Sequence, residues 1–486
     1  MCTLWASGGT VNVSYGTEIS VNPGNPSSGT LTVTSSLVMA PNSNVASIQG
    51  LKDQYGNICA NQNYTLTGSA TVLLSVWTQP VINPIPFSTD SSGNASLITQ
   101  SVNSDAQITY SIGSLMATYK VWVPQNRYIG AGGDGSSGYN NGYSLDSSGH
   151  VWAWGYGSYG EMGNGTQCWV STPVKVSNLS NVVAVSAGGC TTFALDSSGH
   201  VWSWGYGSDG ELGNGQTTNA QTTPVQVANI SNIVAIAGCG RGGTGVGYAL
   251  DSSGNVWAWG CGSNGAVGDG EWSNTDIPIH ILSGCTAIAG GGNAGLALDI
   301  NGHVWAWGEA LINGTSNTIC YTQQVTGLSN IISIAAGGET GYAIDSSGNM
   351  WTWGYNGDGE FGNGNINSAN TPAKNPYLSN IVSIAGGDST GYAIDSSGRE
   401  WAYGSGGNGQ LGNGTTSTNA CVPVQVANIS NVVAITSSAN TAHALDSSGR
   451  VWSWGSGFLG ALGNGAQSDS SVPVQVIQGG WSAPSP

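Results

Sequence analysis

The sequence predicts an all-β protein in which a seven-bladed β-propeller follows an N-terminal immunoglobulin-like β-sandwich. Three observations support this fold class. A unit of about fifty residues recurs seven times, each unit contains short apolar runs separated by Gly-rich turns, and the first quarter of the chain lacks the unit but keeps β-type runs. We therefore expect two domains, residues 1–125 and residues 126–486.

Each unit is marked by the tetrapeptide Asp-Ser-Ser-Gly or, once, by Asp299-Ile300-Asn301-Gly302. Successive copies begin 50, 55, 48, 46, 50 and 51 residues apart. This period fits one four-stranded propeller blade and exceeds that of most helical repeats. The six unaltered copies begin at Asp146, Asp196, Asp251, Asp345, Asp395 and Asp446.

Within a unit, two apolar runs such as 182–185 and 192–195 predict strands. The tetrapeptide after the second run predicts a tight turn, because Asp and Ser side chains bond the backbone ahead and Gly accepts a positive φ. A third strand, 201–204, places Trp202 and Trp204 on one face, since side chains two residues apart in a strand point the same way.

Such a pair recurs in every unit, and each ring can bury on the order of 150–250 Å². We expect these pairs to fill the space between blades. The other pairs are Trp152/Trp154, Trp257/Trp259, Trp305/Trp307, Trp351/Trp353, Trp401/Tyr403 and Trp452/Trp454.

A Gly-rich loop ending in the run 211–215 follows the Trp pair, and Pro224 then introduces a last apolar strand. Proline suits the edge of a sheet, where no ladder donor is missed. We expect this strand to form the exposed outer rim of the blade.

Residues 1–125 contain short β-type runs at a spacing that predicts an immunoglobulin-like sandwich, with a small barrel as the alternative. The segment 80–86 is a proline-punctuated extended connection, and 123–125 is the expected hinge into the propeller.

Four motifs in fixed order resemble the regulator of chromosome condensation repeat family over roughly residues 126–480: Ala-Gly-Gly, Leu-Asp-Ser-Ser-Gly, Val-Trp-Ser-Trp-Gly and Glu-Leu-Gly-Asn-Gly. The resemblance implies a seven-bladed propeller. The unit around Asp299 departs most, keeping only 312–314 of the last motif. The family's namesake promotes nucleotide exchange on a small GTPase through basic and loop-inserted surfaces, but this chain has no basic tail and no long wedge. Its composition is closer to secreted bacterial members that inhibit an enzyme by presenting one face to it.

Charge argues against nucleic-acid binding. Only 7% of residues are charged, and 8 Lys and Arg are scattered among 25 Asp and Glu, for a formal net charge of -17. A weakly charged surface rich in Ser, Thr, Asn and Gly fits an extracellular, cell-surface or virion-surface location and predicts tolerance of acid. No segment has the ~18 consecutive apolar residues of a membrane span. The N-terminus shows no leader, which indicates that a leader is absent from this chain or that export uses another route.

Nine sequons make glycosylation a prediction that depends on secretion. The nine cysteines contain no Cys-X-X-Cys pair, which disfavours a zinc ribbon, and either eight pair with one left over or several remain buried thiols. The candidate glycosylation sites are Asn12, Asn63, Asn94, Asn164, Asn178, Asn229, Asn313, Asn413 and Asn428.

Two sets of variable positions are candidate binding residues. Residues that follow the Gly pairs are expected to ring one mouth of the central channel, and aromatic residues in the loop before the outer strand are expected either to anchor a partner or to tuck against neighbouring blades. Variation on fixed supports is typical of a ligand-binding surface, although unselected loop variation looks the same. The first set is Asp134, Cys190, Arg241, Asn293, Glu339 and Asp388, and the second is Trp169, Trp272 and Tyr321.

Catalytic, cofactor and metal sites are not predicted. His150, His200 and His303 share a repeat position that accepts Asn or Arg in other units, so this position indicates an exposed strand start. We therefore expect a non-enzymatic surface protein, such as an appendage or filament subunit, an adhesin or a virion receptor-binding protein. Its sandwich attaches or self-assembles, and its propeller binds a protein or a surface glycan. The alternatives are a secreted propeller that inhibits or regulates one protein and, less favoured, a carbohydrate-active enzyme with paired carboxylates in the channel.

Overall fold

The computed structural model divides the chain into two compact units, Met1–Val123 and Pro124–Pro486. It describes the propeller unit from residue 128 to residue 479, and in the first unit it describes only the backbone of nine strands. The positions between 128 and 479 that it does not describe are 135–137, 242, 310–313, 316 and 417–418. No helix long and apolar enough to cross a membrane occurs in the part of the chain described here.

The described strands of the first unit pair in three antiparallel groups, β1 with β2, β3-β4-β7 and β6-β5-β8-β9. How these groups pack lies outside the described residues, so the immunoglobulin-like sandwich stays a prediction. The strands are β1 Thr10–Val13, β2 Thr17–Ser20, β3 Thr30–Thr34, β4 Asn44–Gln49, β5 Asn63–Val72, β6 Ile85–Ser88, β7 Ala95–Thr99, β8 Ala106–Ile112 and β9 Leu115–Val121.

The second unit contains seven four-stranded antiparallel sheets, each built from four consecutive strands. This confirms the seven-bladed propeller. Blades 1 to 4 are β10 Ile129–Asp134, β11 Tyr139–Leu145, β12 Val151–Gly155 and β13 Val170–Lys175; β14 Val182–Gly188, β15 Thr191–Asp196, β16 Val201–Gly207 and β17 Thr218–Gln226; β18 Ile233–Cys239, β19 Val246–Asp251, β20 Val256–Gly260 and β21 Thr275–Leu282; and β22 Cys285–Gly291, β23 Ala294–Asp299, β24 Val304–Gly308 and β25 Ile319–Gln324. Blades 5 to 7 are β26 Ile331–Ala336, β27 Thr340–Asp345, β28 Met350–Gly354 and β29 Ala369–Lys374; β30 Ile381–Gly386, β31 Thr390–Asp395, β32 Glu400–Gly404 and β33 Ala420–Gln425; and β34 Val432–Ser437, β35 Thr441–Asp446, β36 Val451–Gly455 and β37 Ser470–Gln475.

The Asp of each repeat organises the turn between the second and third strands. In blade 2, Oδ1 of Asp196 accepts the main-chain N–H groups of Ser198 and His200, and Oδ2 accepts the indole N–H of Trp202 at 3.1 Å. Gly199 takes a φ of 81°, as the predicted turn requires. The variant copy at Asp299 makes the same bonds.

The second aromatic residue of each pair seals the seam with the preceding blade. Trp204 is fully buried beside Tyr143 and Met162 of blade 1, which confirms the expected packing role. Trp202 lies on the same face but is only half-buried, because its indole N–H is held by Asp196 at the edge of the blade.

The strand that carries the proline is outermost, as predicted, and the first strand lines the central channel. Neighbouring inner strands approach so closely that a Cβ on Gly188 would lie 2.3 Å from the main-chain nitrogen of Cys239. Small residues on the inner strands are therefore required for the ring to close.

Blade 7 meets blade 1 through the indole-to-carbonyl bond that also joins other blades, and through one further side-chain bond. The indole N–H of Trp154 donates to the carbonyl of Ala461 at 3.0 Å, and the hydroxyl of Ser438 donates to Oδ1 of Asn140 at 3.0 Å. The ring is thus closed by side-chain packing between contiguous blades.

Candidate binding face

One face of the propeller carries the turns between the first and second strands of each blade and the loops that leave the third strands. We call it the mouth face. Its centre is the end of a channel lined by small residues of all seven inner strands, among them Ala187, Gly290, Ala336 and Ser437. The cavity volume is about 80 Å³, which leaves room for a few water molecules. A ligand larger than this must bind on the face and not inside the ring.

Arg241 of blade 3 reaches across this mouth to two other blades. Its Nη1 donates to Oε1 of Glu339 in blade 5 at 2.9 Å, and its Nε donates to Oδ1 of Asp388 in blade 6 at 2.6 Å. The loop behind Arg241 is fixed by Thr244, whose N–H donates to the Arg241 carbonyl at 3.0 Å. We call this three-residue arrangement the mouth clasp.

The electrostatics of the clasp favour its closed form. Burial alone would lower the pKa of Arg241, but the carboxylates of Asp388 and Glu339 outweigh it and raise this pKa. A third carboxyl group, that of Glu309, lies nearby, and burial together with the charge of Glu339 raises its pKa. Among the side chains that the structure describes, Arg241 is thus surrounded by the carboxyl groups of Glu339, Asp388 and Glu309.

The structure brings together four of the six residues predicted to ring the mouth. Arg241, Glu339 and Asp388 are in contact, and Asn293 joins them because its Oδ1 accepts the hydroxyl of Thr244 at 3.2 Å. The side chain of Asp134 lies outside the described residues.

The expectation for Cys190 is wrong. Its preceding residue, Gly189, turns with a φ of 55°, and Cys190 is buried in the blade seam with its thiol beside the carboxyl group of Glu161. It does not face the open mouth.

The aromatic residues predicted as loop anchors are all exposed. Trp169, Trp272 and Tyr321 expose 42%, 51% and 53% of their surface. Trp169 and Trp272 lie in the loops before the outer strands of blades 1 and 3, whereas Tyr321 lies within the outer strand β25 of blade 4.

Sequence reasoning missed three residues of the mouth. Glu309 directly follows a Trp-Gly pair, Thr244 lies in the longest turn, and Tyr355 is 40% exposed with its N–H donating to the Glu339 carbonyl at 2.9 Å. Each lies within five residues of a predicted position or directly after a Trp-Gly element, and this proximity was the available signal.

The histidines of the shared repeat position support the turns. Nδ1 of His150 lies 3.0 Å from Oδ2 of Asp146, and Asn255 and Arg399 bond the equivalent carboxylates with their side chains. Among the described residues, no cluster of three or more His, Cys, Asp or Glu side chains is placed to hold a metal ion.

Three of the candidate glycosylation sites, Asn178, Asn229 and Asn428, occupy the same exposed turn between blades and have positive φ. Asn164 and Asn413 are half-buried, and each Oδ1 accepts the N–H and hydroxyl of the Thr two residues ahead. The side chains of the other four sites, Asn12, Asn63, Asn94 and Asn313, lie outside the described residues.

The seven cysteines that the structure describes are free thiols. Cys168 is exposed and Cys421 half-buried, while the rest are buried. Of the two alternatives drawn from the sequence, buried thiols therefore apply to this part of the chain.

Comparison with known proteins agrees with the repeat architecture. Models of the regulator of chromosome condensation (RCC1) repeat match residues 148–195, 198–246, 347–394, 397–445 and 448–480, and a second RCC1 repeat model matches 182–211 and 331–360.

Solved structures show the same fold. Yeast RCC1 (Prp20), in its complex with Kap60, is 21% identical, with a TM-score of 0.61 over 69% of this chain and 85% of that one. Prp20p of Saccharomyces cerevisiae in a separate structure is 22% identical, with a TM-score of 0.61 over 69% and 87%. Human WBSCR16 is 22% identical, with a TM-score of 0.54 over 66% and 88%. From its repeats, its seven blades and these matches, the chain belongs to the regulator of chromosome condensation (RCC1) repeat family.

Proposed function

We propose that this protein is a non-enzymatic binding protein displayed outside the cell or on a virion, and that it engages its partner through the mouth face of the propeller. The observation that carries the proposal is the mouth clasp. Arg241, Glu339 and Asp388 come from three blades, at a mouth position whose residue type varies among the repeats although Asp134 of blade 1 matches Asp388, whereas the turns and seams around them repeat in every blade. Individual residues on a repeated support are typical of a recognition surface.

Relatives with this fold bind proteins. Yeast RCC1 was solved bound to Kap60, and Prp20p was characterised for its binding to Gsp1p and histones. For this chain we infer protein or surface-glycan recognition in general and not those partners, because identities of 21% and 22% establish the fold alone.

Display outside the cell is supported by composition. A chain with 7% charged residues presents mostly hydroxyl, amide and main-chain groups to solvent. The first unit is proposed to attach the propeller or to assemble with other copies.

A carbohydrate-active enzyme is disfavoured by the geometry of the mouth. Glycoside hydrolysis needs two carboxyl groups free to act on either side of the scissile bond, and here Glu339 and Asp388 are both bonded to Arg241. A secreted propeller that regulates one protein remains the second candidate, since it would use the same face.

Binding of the labelled full-length chain to intact cells or particles from the native source tests the proposal. The triple variant Arg241→Gln, Glu339→Gln, Asp388→Asn should bind at least about tenfold more weakly than the wild type. Lys374→Gln, on an exposed outer strand, is the control and should bind normally. Equal binding by the triple variant would reject the mouth face, and surface labelling that never detects the protein on intact cells or particles would reject display.

A further inference from the structure

Five aromatic rings form a continuous row on the mouth face, across blades 7, 1 and 2. The centroid distances are 6.4 Å from Phe458 to Tyr139, 4.2 Å from Tyr139 to Tyr156, 6.1 Å from Tyr156 to Tyr159 and 5.1 Å from Tyr159 to Tyr206. We call these five residues the aromatic row. They stand beside the turns of the mouth, because the N–H groups of Tyr156 and Tyr206 donate to the carbonyls of Asn140 and Cys190.

The row is held in place from below. Tyr156 is buried and stacks on Tyr139 with an interplanar angle of 8°. The N–H of Tyr159 donates to Oε2 of the buried Glu161 at 2.8 Å. The remaining rings are partly open to solvent, and Phe458 exposes 48% of its surface. The row is therefore a fixed surface, and a ligand would bind it at little cost in side-chain ordering.

Blade 7 adopts an unusual backbone to contribute Phe458. The next residue, Leu459, has a φ of 53° and a ψ of 27°, in the left-handed region that favours glycine. In blades 1 and 2 the matching residues are Tyr159 and Asp209, which do not have positive φ. Backbone strain of this kind concentrates at binding sites, where the presented side chain has a function.

The chemistry around the row disfavours an acidic ligand, because the exposed carboxylate of Asp469 accepts the N–H of Gly457 directly before Phe458. The carboxyl group beneath it, Glu161, has its pKa raised to about 8 by burial and is protonated at neutral pH. The cation of this face, Arg241, is bonded to Glu339 and Asp388. What the row offers is ring faces, four phenol hydroxyl groups and the exposed Ser158.

We propose that the aromatic row is a binding site for a neutral glycan, which would lie along blades 7, 1 and 2 with sugar C–H faces against the rings and sugar hydroxyls bonded to the phenols. The proposal rests on the proposed function, whose ligand class it names. An extended proline-rich peptide also uses aromatic grooves. A glycan is favoured over a peptide because aromatic hot spots at protein–protein interfaces are commonly accompanied by Arg. Here the Arg241 side chain is already bonded to the carboxylates of the mouth clasp.

The test uses the full-length chain on an array of neutral and acidic glycans, followed by titration of the strongest neutral oligosaccharide. Phe458→Ala and Tyr206→Ala should each weaken this binding by about tenfold. Tyr377→Ala is the matched control and should bind like the wild type, because Tyr377 is 55% exposed in the turn between blades 5 and 6. Absence of neutral-glycan binding by the wild type, or unchanged binding by both row variants, would overturn the proposal.

A second arm separates this proposal from the proposed function. Wild-type protein is applied to native cells or particles before and after enzymatic removal of glycans, and to a proline-rich decapeptide. Loss of binding after deglycosylation is expected. Binding to the native surface that survives deglycosylation, or direct binding of the protein to the decapeptide, would overturn the glycan site and leave the proposed function standing. Absence of binding to any native surface would count against both.

Discussion

The indole N–H of Trp204 donates a 2.8 Å hydrogen bond to the main-chain carbonyl of Glu161 in the preceding blade. Matching bonds join Trp259 to Glu211 and Trp454 to Gln410. Each of these Trp residues therefore has two roles. Its ring fills the seam between blades, and its N–H group donates to a main-chain carbonyl that is buried away from water.

Trp204→Phe should destabilise the propeller by about 0.5–1.5 kcal/mol, because the buried carbonyl of Glu161 loses the shorter of its two hydrogen bonds and keeps the one from the hydroxyl of Tyr143. Tyr403→Phe is the matched control, as Tyr403 fills the same slot in blade 6 but donates only to the sulfur of Met350. Thermal unfolding followed by calorimetry measures both. Equal losses for the two variants would mean that the bond to Glu161 contributes nothing measurable.

Glu400→Val should raise the free energy of unfolding at pH 7 by about 1–4 kcal/mol. Glu400 is 2% exposed, and neither carboxyl oxygen has a hydrogen-bond partner in the structure. The slot is apolar in the other blades, where it holds Val151, Val201, Val256, Val304, Met350 and Val451.

Glu400→Gln is the control for that substitution. It keeps a polar group without a partner in the same slot, so it should recover much less stability than the valine variant. Denaturant titration compares the two. A valine variant less stable than the wild type would show that Glu400 has a partner.

Stability should fall as the pH rises from about 5 to 8. Burial raises the pKa of Glu161 to about 8 and those of Glu211 and Glu360 to about 7. A carboxyl group whose pKa is raised by folding stabilises the protonated native state, so its full contribution is present below the unfolded value of 4.5 and is lost as the pH passes the folded value. The melting temperature at pH 8 should be lower than at pH 5 by at least about 2 °C.

The Asp residues of the turns set the acid limit. Burial alone would raise the pKa of Asp196, but bonds from His200, Trp202 and Ser198 outweigh it and lower this pKa. That contribution to stability is present above pH 3.8 and is lost as the pH falls further.

Replacing Glu161, Glu211 and Glu360 together by Gln should flatten the dependence of the melting temperature on pH between 5 and 8. Gln410 of blade 6 already occupies the matching position. A melting temperature that rises over that interval in the wild type contradicts the buried-carboxyl interpretation.

Alkylation of the native protein should label Cys168 rapidly and leave Cys239 and Cys285 unlabelled until the chain unfolds. Cys168 is exposed, whereas the other two are buried and burial raises both pKa values to about 12. Only an exposed thiolate reacts readily. Peptide mass spectrometry after iodoacetamide treatment, with and without denaturant, gives the result. A disulfide at any of these three positions would be incompatible with the structure.

The sequence predicted the features that depend on residues within a single repeat. The turn at Asp196 and the seam at Trp204 follow from local residue types that recur in all seven blades, and the outer strand at Pro224 has its proline in six of them, so their structure could be predicted. The mouth clasp could not, because Arg241 meets residues 98 and 147 positions away only after the ring has closed. The aromatic row has the same origin, since Phe458 and Tyr139 belong to the last and first blades.

The placement of Cys190 differs from the expectation for a physical reason. Cys190 follows a Gly pair like the mouth residues, but its small apolar side chain is buried in the seam, with its thiol beside the carboxyl group of Glu161. Glu161 is itself buried, and its carboxyl group accepts the N–H of Tyr159. The position of Cys190 in the repeat did not reveal this environment.

An experimental density map of the full-length chain tests most directly whether the repeated residues are scaffold and the mouth face alone is free to bind. We predict seven sectors around a narrow channel, with Trp204 and its equivalents packed in the seams and Arg241 extended across the mouth to Glu339 and Asp388. A ring with fewer sectors, or indole rings that line an open cavity, would contradict this division between scaffold and binding face.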